Sequence, residues 1–302
     1  MSERQPVRSS RWDVDGNVAA AFGRGTGQTK VPYPILLREL EVLRTRELNP
    51  SLLRLTLGGD GLAGFQSHPD GAEEHVRLVF PDENGELRLP EQNEDTLNWG
   101  RPRPVSREYT VRHFDADAGE LDIDLVLHPG GLASEWVRTV VPGTRIHVAG
   151  PPGGLVVPQG YDFWLLAGDL TAQPAIARIL ERLPADARGV ALVEVADAAE
   201  ELPMTAPDGV EVRWLHRDGA PAGTSEVLWQ AVRDVRPPDG ASVYAWVAGE
   251  TTSIKPIRRF VRDELGLAAE HREVNGYWKR GVVDFDDDDD EAGHGHGHGH
   301  GH

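Results

Sequence analysis

The chain has 302 residues, long enough for two domains that each bury a core. Its formal charge of −18 excludes a surface built mainly for nucleic-acid phosphates, although Asp284, Asp286 to Asp290 and Glu291 concentrate seven of those charges in a tail. The absence of cysteine excludes disulfides, thiolate-held iron–sulfur clusters and a cysteine nucleophile, and no apolar run has signal-peptide or membrane-spanning length, so a soluble cytoplasmic protein is expected.

Residues 1–34 are polar and glycine-bearing and read as a flexible arm. Gly23, Gly25 and Gly27 have no strand before them and no Gly-Lys-Ser/Thr after, so they make no phosphate loop. From Ile35 apolar and polar residues alternate over Glu41 to Arg46, Leu52 to Leu57 and His75 to Phe80, with turns at Gly58 to Gly61 and Pro81 to Gly85. These short strands fit a small antiparallel barrel or sandwich. Leu89 to Pro104, polar and proline-bearing, reads as a loop.

In Arg107-Glu108-Tyr109-Thr110-Val111-Arg112, strand alternation puts Arg107, Tyr109 and Val111 on one face and Glu108, Thr110 and Arg112 on the other. A ring face, a forked cation and a hydroxyl suit a flat cofactor with a charged tail; an edge strand facing water is the alternative. Leu121 to His128 alternates again and runs into Pro129-Gly130-Gly131-Leu132-Ala133-Ser134, which opens a short helix. Its first amides form either a phosphate cradle or a plain turn with a serine cap. A strand over Arg145 to Ala149 and the Gly150 to Gly154 turn close this half.

The period then changes. Phe163 to Gly168 is an apolar run of the kind buried on both faces of a parallel sheet, and Thr171 is placed to cap a helix with Ala175, Ile176, Ile179, Leu180 and Leu183 inward. Strands over Val190 to Val195, Val210 to Leu215 and Val243 to Ala248, and one including Val274, alternate with helices over Thr224 to Val235 and through Ile257, Phe260, Val261 and Leu265 to a stop at Gly266. This is a Rossmann-like parallel α/β unit whose ligands sit at the carboxyl ends of the strands, here Gly168-Asp169, Asp197 and Gly249-Glu250.

The order Arg107-x-Tyr109-Thr110-x-Arg112, His128 through Gly131-x-x-Ser134-x-Trp136, Gly150-Pro151-x-Gly153, Ala167-Gly168-Asp169-x-Thr171-Ala172, Ala248-Gly249-Glu250 and Gly276-Tyr277-Trp278 resembles the siderophore-interacting protein family, whose members are flavin-dependent ferric-siderophore reductases. The resemblance spans residues 36 to about 281. It implies a two-domain β plus α/β protein: an FAD-binding antiparallel barrel over 35–157, an NAD(P)H-binding α/β domain over 158–283 and a tail over 284–302. It implies that Arg107 holds the FAD phosphates, Tyr109 stacks on the flavin, Thr110 lies near its N5 edge, and Gly131, Ala133 and Ser134 cradle the pyrophosphate with His128 and Asp124 alongside. Asp169, Thr171, Asp197, Gly249 and Glu250 fall where the family meets NADH or NADPH. The chain departs from the family at Leu132, where proline is usual, and at Leu170, where an acidic residue is usual. The activity implied is electron transfer from NAD(P)H through FAD to Fe(III) in a ferric siderophore, with no nucleophile or general base and a monomeric protein. The alternatives are a ferredoxin-like protein or free flavin as redox partner, or a non-enzymatic metal- or siderophore-binding protein acting through its tail.

An anionic substrate on an acidic protein calls for a local basic patch. Lys279 and Arg280 beside Trp278 are the first candidates, with Arg112, Lys255, Arg258 and Arg259 as contributors; the last three also fit a solvated helix face. Trp12, Trp99, Trp214 and Trp229 read as packing residues, and the histidines of the body show no ligand spacing. In the tail, His294, His296, His298, His300 and His302 alternate with glycine and offer imidazoles for divalent metal.

Overall fold

The computed structural model describes residues 10–283 and Phe285. The stretch expected to be an arm is structured where it is described. Asp13 accepts the Gly16 amide at 3.1 Å and caps α1 (Val14–Phe22), and β1 (Thr29–Pro32) pairs antiparallel with Gly153–Val156. Val18, Ala21, Val31 and Tyr33 bury against Val156, so this segment is packed on the body and is no flexible linker over these residues.

The alternating strands close into a barrel, which decides between barrel and sandwich. The strands of this half are β2 (Leu37–Asn49), β3 (Leu52–Gly58), the short β4 (Gly71–Ala72), β5 (His75–Val79), a hairpin of β6 (Glu91–Asn93) and β7 (Thr96–Asn98), β8 (Ser106–Asp115), β9 (Glu120–Val126), β10 (Arg145–Ala149) and β11 (Gly153–Val156). The barrel order is β10-β2-β3-β9-β8-β5, and β1, β11 and β4 form a side sheet. Period-two side chains fill its interior: Leu55 and Leu57, Val76 and Leu78, Leu121, Ile123 and Leu125, and Ile146 and Val148 are all buried. The hairpin β6–β7 lies inside the segment expected to be a loop. Gln92 secures it, accepting from the Leu37 amide and donating to the Ile35 carbonyl. Between β9 and β10 runs α2 (Leu132–Thr139).

The second half is a five-stranded parallel sheet, order β14-β13-β12-β15-β16, from β12 (Phe163–Asp169), β13 (Gly189–Val195), β14 (Val210–His216), β15 (Val243–Glu250) and β16 (Arg272–Trp278). Helix α3 (Gln173–Leu180) covers the Trp164, Leu166 and Trp246 face, while α4 (Val227–Arg233) and α5 (Thr251–Arg259) cover the Leu165, Ala167 and Leu192 face. Burial on both faces explains the unbroken apolar runs. The chain leaves β12 toward β13 and returns on its other side as β15, so the strand order reverses at the carboxyl end of β12. Two local expectations shift. The cap position of α3 is Ala172 and not Thr171, whose hydroxyl turns back to Asp169, and α4 is shorter than the Thr224 to Val235 segment. After α5 the chain widens into a π turn over Phe260–Glu264, and Gly266 at φ +64° ends it. No helix of the described residues is long and apolar enough to cross a membrane.

The two halves meet around one buried ion pair. Arg178 on α3, 7% exposed, donates to Glu74 Oε2 at 2.6 Å, to the His68 carbonyl at 2.9 Å and to the Val111 carbonyl of β8 at 2.7 Å. Glu74, fully buried, also accepts from Tyr33 Oη at 2.6 Å and the His68 amide at 2.8 Å. Burial next to this carboxylate pushes the Tyr33 phenol far up, so it stays a neutral donor. Removing Arg178 strands a buried charge. Arg178→Ala is expected to lower unfolding free energy by about 3–5 kcal/mol in urea denaturation, and Arg178→Met combined with Glu74→Gln to recover part of that loss.

Candidate functional site

The site is built where β8, flanked by β5 and β9 in the barrel wall, faces the α/β half. Alternation along β8 is as the sequence implies. Val111 fills the barrel core and Tyr109 packs half-buried beside it, while Thr110, 8% exposed, and Arg112 look toward the α/β half. Burial raises the Tyr109 phenol well above its usual value, opposed by the charge of Arg107, whose Nη1 donates to the Ser106 carbonyl at 2.7 Å. The Thr110 and Tyr277 side chains share a hydrogen bond across the junction. Arg112 forks onto both carboxylate oxygens of Glu181, just past α3, and so serves as a second tie between the halves.

At the start of α2, Gly131 occupies the cap position without a side-chain bond, so the amides of Leu132, Ala133 and Ser134 begin the helix with no carbonyl a turn earlier to meet. Ser134 is not the cap. Its Oγ accepts the His128 amide at 3.0 Å and points to the Val126 carbonyl, closing the loop after β9, so what it offers an anion is its backbone amide. A Cβ on Gly131 would come within 2.4 Å of the His128 ring, so glycine is required for the imidazole to fold over the loop. Asp124, 4% exposed, is held by the Arg54 fork at 2.6 and 2.8 Å; it anchors β9 to β3 and is committed to that pair.

At the strand ends, Asp169 is an organiser. Its Oδ1 accepts the Thr171 amide at 2.9 Å and hydroxyl at 2.5 Å, and its Oδ2 accepts the Glu250 amide at 3.0 Å and Trp278 Nε1 at 2.8 Å. Gly249, at φ +154°, lets β15 pass; a Cβ there would lie 2.8 Å from Asp169 Oδ2. Glu250 caps α5 through the Ser253 amide at 2.7 Å and also accepts the Arg280 amide at 3.1 Å. Asp197, exposed after β13, accepts the Ala199 amide at 2.8 Å.

Four residues of this region escaped the sequence reading. Glu194, the neighbour of Asp169 across β12–β13, is buried. Desolvation and then the Asp169 charge raise its carboxyl to about 7 against the pull of Arg217, 3.8 Å away. An acid inside the apolar run of β13 was the available signal. Gly223 admits the Trp278 ring and the Glu250 side chain, Arg54 holds Asp124, and Glu73 reaches across the junction. Leu170, the departure from the family pattern, is a core residue packed with Ala172 and Ile176.

The basic candidates do not form one cluster. Lys255 is exposed on α5, and Arg258 donates to the Val274 carbonyl at 2.8 Å, tying α5 to β16. Lys279 follows β16 with its Nζ 5.7 Å from the Phe285 ring, and Arg112 is engaged across the molecule at Glu181. No group of three or more metal-ligating side chains assembles among the described residues. His294, His296, His298, His300 and His302 lie outside the described residues.

Because all four groups that meet Asp169 are donors, Asp169→Asn turns one amide hydrogen pair against them. Loss of about 1–3 kcal/mol of stability and a changed near-UV circular dichroism from Trp278 are the expected outcomes.

The chain was compared with known proteins once its fold was established. Residues 41–155 match the siderophore-interacting FAD-binding domain and residues 161–281 the siderophore-interacting protein domain. The chain is 36% identical over 255 residues to ferric vibriobactin reductase ViuB of Vibrio cholerae, covering 82% of this chain and 90% of that one. It is 34% identical over 240 residues to the NADPH-dependent ferric-chelate reductase of Escherichia coli, covering 78% and 91%. Among solved structures, a siderophore utilization protein from T. fusca superposes with a TM-score of 0.80 at 42% identity, covering 86% of this chain and 99% of that one. Phthalate dioxygenase reductase, at 14% identity and a TM-score of 0.51 over 80% of this chain and 68% of that one, shares the fold. The chain belongs to the siderophore-interacting protein family.

Proposed function

We propose that the protein is a flavin-dependent reductase that draws electrons from NADH or NADPH and delivers them to Fe(III) chelated by a siderophore. The observation that carries this reading is the meeting of two half-sites: the β8 strand with the α2 amides on one side, and the switch-point strand ends on the other, joined at Thr110–Tyr277. The residues present fit FAD. The bare Gly131 backbone and first-turn amides of α2 suit a pyrophosphate, Arg107 suits its charge, and the half-buried Tyr109 ring offers a face to a flat heterocycle. A bound flavin exchanges two electrons with a nicotinamide and single electrons with a ferric ion.

The chain's own contribution is placement. Asp169 holds Thr171, Glu250 and Trp278 in fixed relation at the end of β12, where a nicotinamide approaches in a sheet of this topology, and Gly249 keeps that approach free of a side chain. Asp197, beyond β13, stands where the ribose of such a cofactor is met. Lys279, which follows Trp278 in the chain, and the exposed Lys255 of α5 supply separate positive charges for an anionic ferric chelate. Hard oxygen donors hold Fe(III) more tightly than Fe(II), so reduction loosens the metal without any acid, base or nucleophile. The names of the Vibrio cholerae and Escherichia coli relatives support the same chemistry.

The test is anaerobic. FAD titration should give a saturable visible-spectrum change, NADH or NADPH should bleach it, and a ferric catecholate or hydroxamate should restore it while a ferrous-specific chelator takes up iron. Tyr109→Ala should weaken FAD binding on the order of tenfold. Absence of saturable flavin binding, or bleaching with no iron reduced by any ferric chelate, rejects the reading.

A further inference from the structure

A second polar cluster at the junction plays no part in the reading above. Glu73, just before β5, has φ +57°, a left-handed backbone that a glutamate keeps only where its surroundings fix it. This conformation sends its side chain out of the barrel and onto the parallel sheet. Glu73 Oε1 accepts from Trp246 Nε1 of β15 at 2.9 Å and from Asn275 Nδ2 of β16 at 2.7 Å. The same Asn275 amide donates to Glu273 Oε1 at 3.1 Å, and Glu273 Oε2 accepts from Gln28 Nε2 at 2.5 Å. Gln28 in turn accepts the Tyr244 hydroxyl.

Two carboxyl groups therefore lean on one NH₂ group at a largely enclosed junction. The charged and titratable groups facing them are few. Lys30 Nζ lies 3.7 Å from Glu273 with its side chain 79% exposed, and Tyr244 and Tyr277 are phenols that burial and these same acids hold neutral. One exposed lysine does not neutralise two desolvated carboxylates, so one of them is favoured as the acid.

We propose that Glu73 is a positioning residue that clamps the end of β16 to the barrel, and that it does so as a neutral carboxylic acid whose Oε1 accepts from Trp246 and Asn275. As an acid it keeps both accepted bonds and adds no charge beside Glu273; as an anion it sets two like charges at the one Asn275 amide, with the exposed Lys30 as counter-cation. Down the same strand lie Tyr277, bonded to Thr110, and Trp278, bonded to Asp169, so the clamp sets the spacing of the two half-sites. That last step rests on the flavin reading; the protonated clamp does not. Burial first and the Glu273 charge second raise Glu73 to about 8 from an ordinary 4.5. The folded protein thus holds a proton that the unfolded chain releases. Stability contributed here is highest in acid, falls as pH rises from the ordinary carboxyl range toward about 8, and is level above.

The experiment compares full-length wild type, Glu73→Gln and Glu73→Ala, first without added cofactor. Thermal midpoints are followed from acid through pH 9.5, then FAD is titrated at acid-neutral and alkaline pH. The glutamine amide keeps an oxygen for both donors and carries no charge. Glu73→Gln should match wild type on the acid side and show a smaller fall in midpoint toward pH 8, the part that remains being that of Glu194, and its FAD affinity should be independent of pH. Wild type should lose FAD affinity several-fold over that rise, and Glu73→Ala should be less stable than wild type on the acid side and bind FAD several-fold more weakly there. A Glu73→Gln midpoint that falls with pH as wild type does, or a glutamine variant no more stable than the alanine variant on the acid side, overturns the proposal. Wild type that shows the predicted midpoint behaviour but no saturable FAD binding at any pH leaves the protonated clamp standing and removes the flavin reading.

Discussion

The architecture depends on a buried charge pair, Arg178 with Glu74. Taking a guanidinium and a carboxylate out of water is costly, and their attraction offsets that cost only when the remaining donors and acceptors are also met. Here they are. Arg178 reaches two backbone carbonyls besides Glu74, and Glu74 accepts from Tyr33 and His68 besides Arg178. One of those carbonyls belongs to Val111, next to Thr110 on β8, and Arg178 itself rides on the helix that follows β12. Strand β8 of the barrel and the helix that follows β12 are thus fixed to each other through one side chain. Arg112–Glu181 repeats the tie nearer the surface.

Acidic residues around the strand ends act chiefly as internal scaffolding. Asp169 gathers four donors from three segments, Glu250 caps a helix and holds the chain after β16, and Asp124 is locked to Arg54. An acidic chain therefore need not repel an anionic ligand from this region, because much of the local negative charge is already satisfied by amides and guanidinium groups. Glu194 and Glu73 are the exceptions. Both are desolvated with a second carboxylate close by, and both are shifted toward the neutral acid.

Much of the fold was legible in the sequence because period-two and continuous apolar patterns report burial directly: Leu121, Ile123 and Leu125 for a barrel wall, Phe163 to Gly168 for a sheet covered on both sides. In the described part of the segment before Ile35, glycine and polar content suggests a linker, whereas a few apolar residues, Val18, Ala21, Val31 and Tyr33, suffice to pack it once β11 offers them a surface. The β6–β7 hairpin was hidden for a related reason: the side chain of Gln92, and not an apolar pattern, holds it to Ile35 and Leu37. Thr171 looked like a cap by type and position, but a carboxylate two residues earlier was the better partner for its hydroxyl. Pairs such as Arg178–Glu74 and Glu73–Asn275 join residues far apart in the chain and leave no local signature, so only the packed structure reveals them.

The proposed function needs one composite site at the junction of barrel and sheet. The most direct test is a crystal structure of the protein grown with FAD. Density for the isoalloxazine against Tyr109 and Thr110, with the pyrophosphate at the amides of Leu132 to Ser134 and the Gly276 to Trp278 segment beside the ring, is the predicted result. Flavin bound away from β8, or phosphates remote from the start of α2, would contradict it.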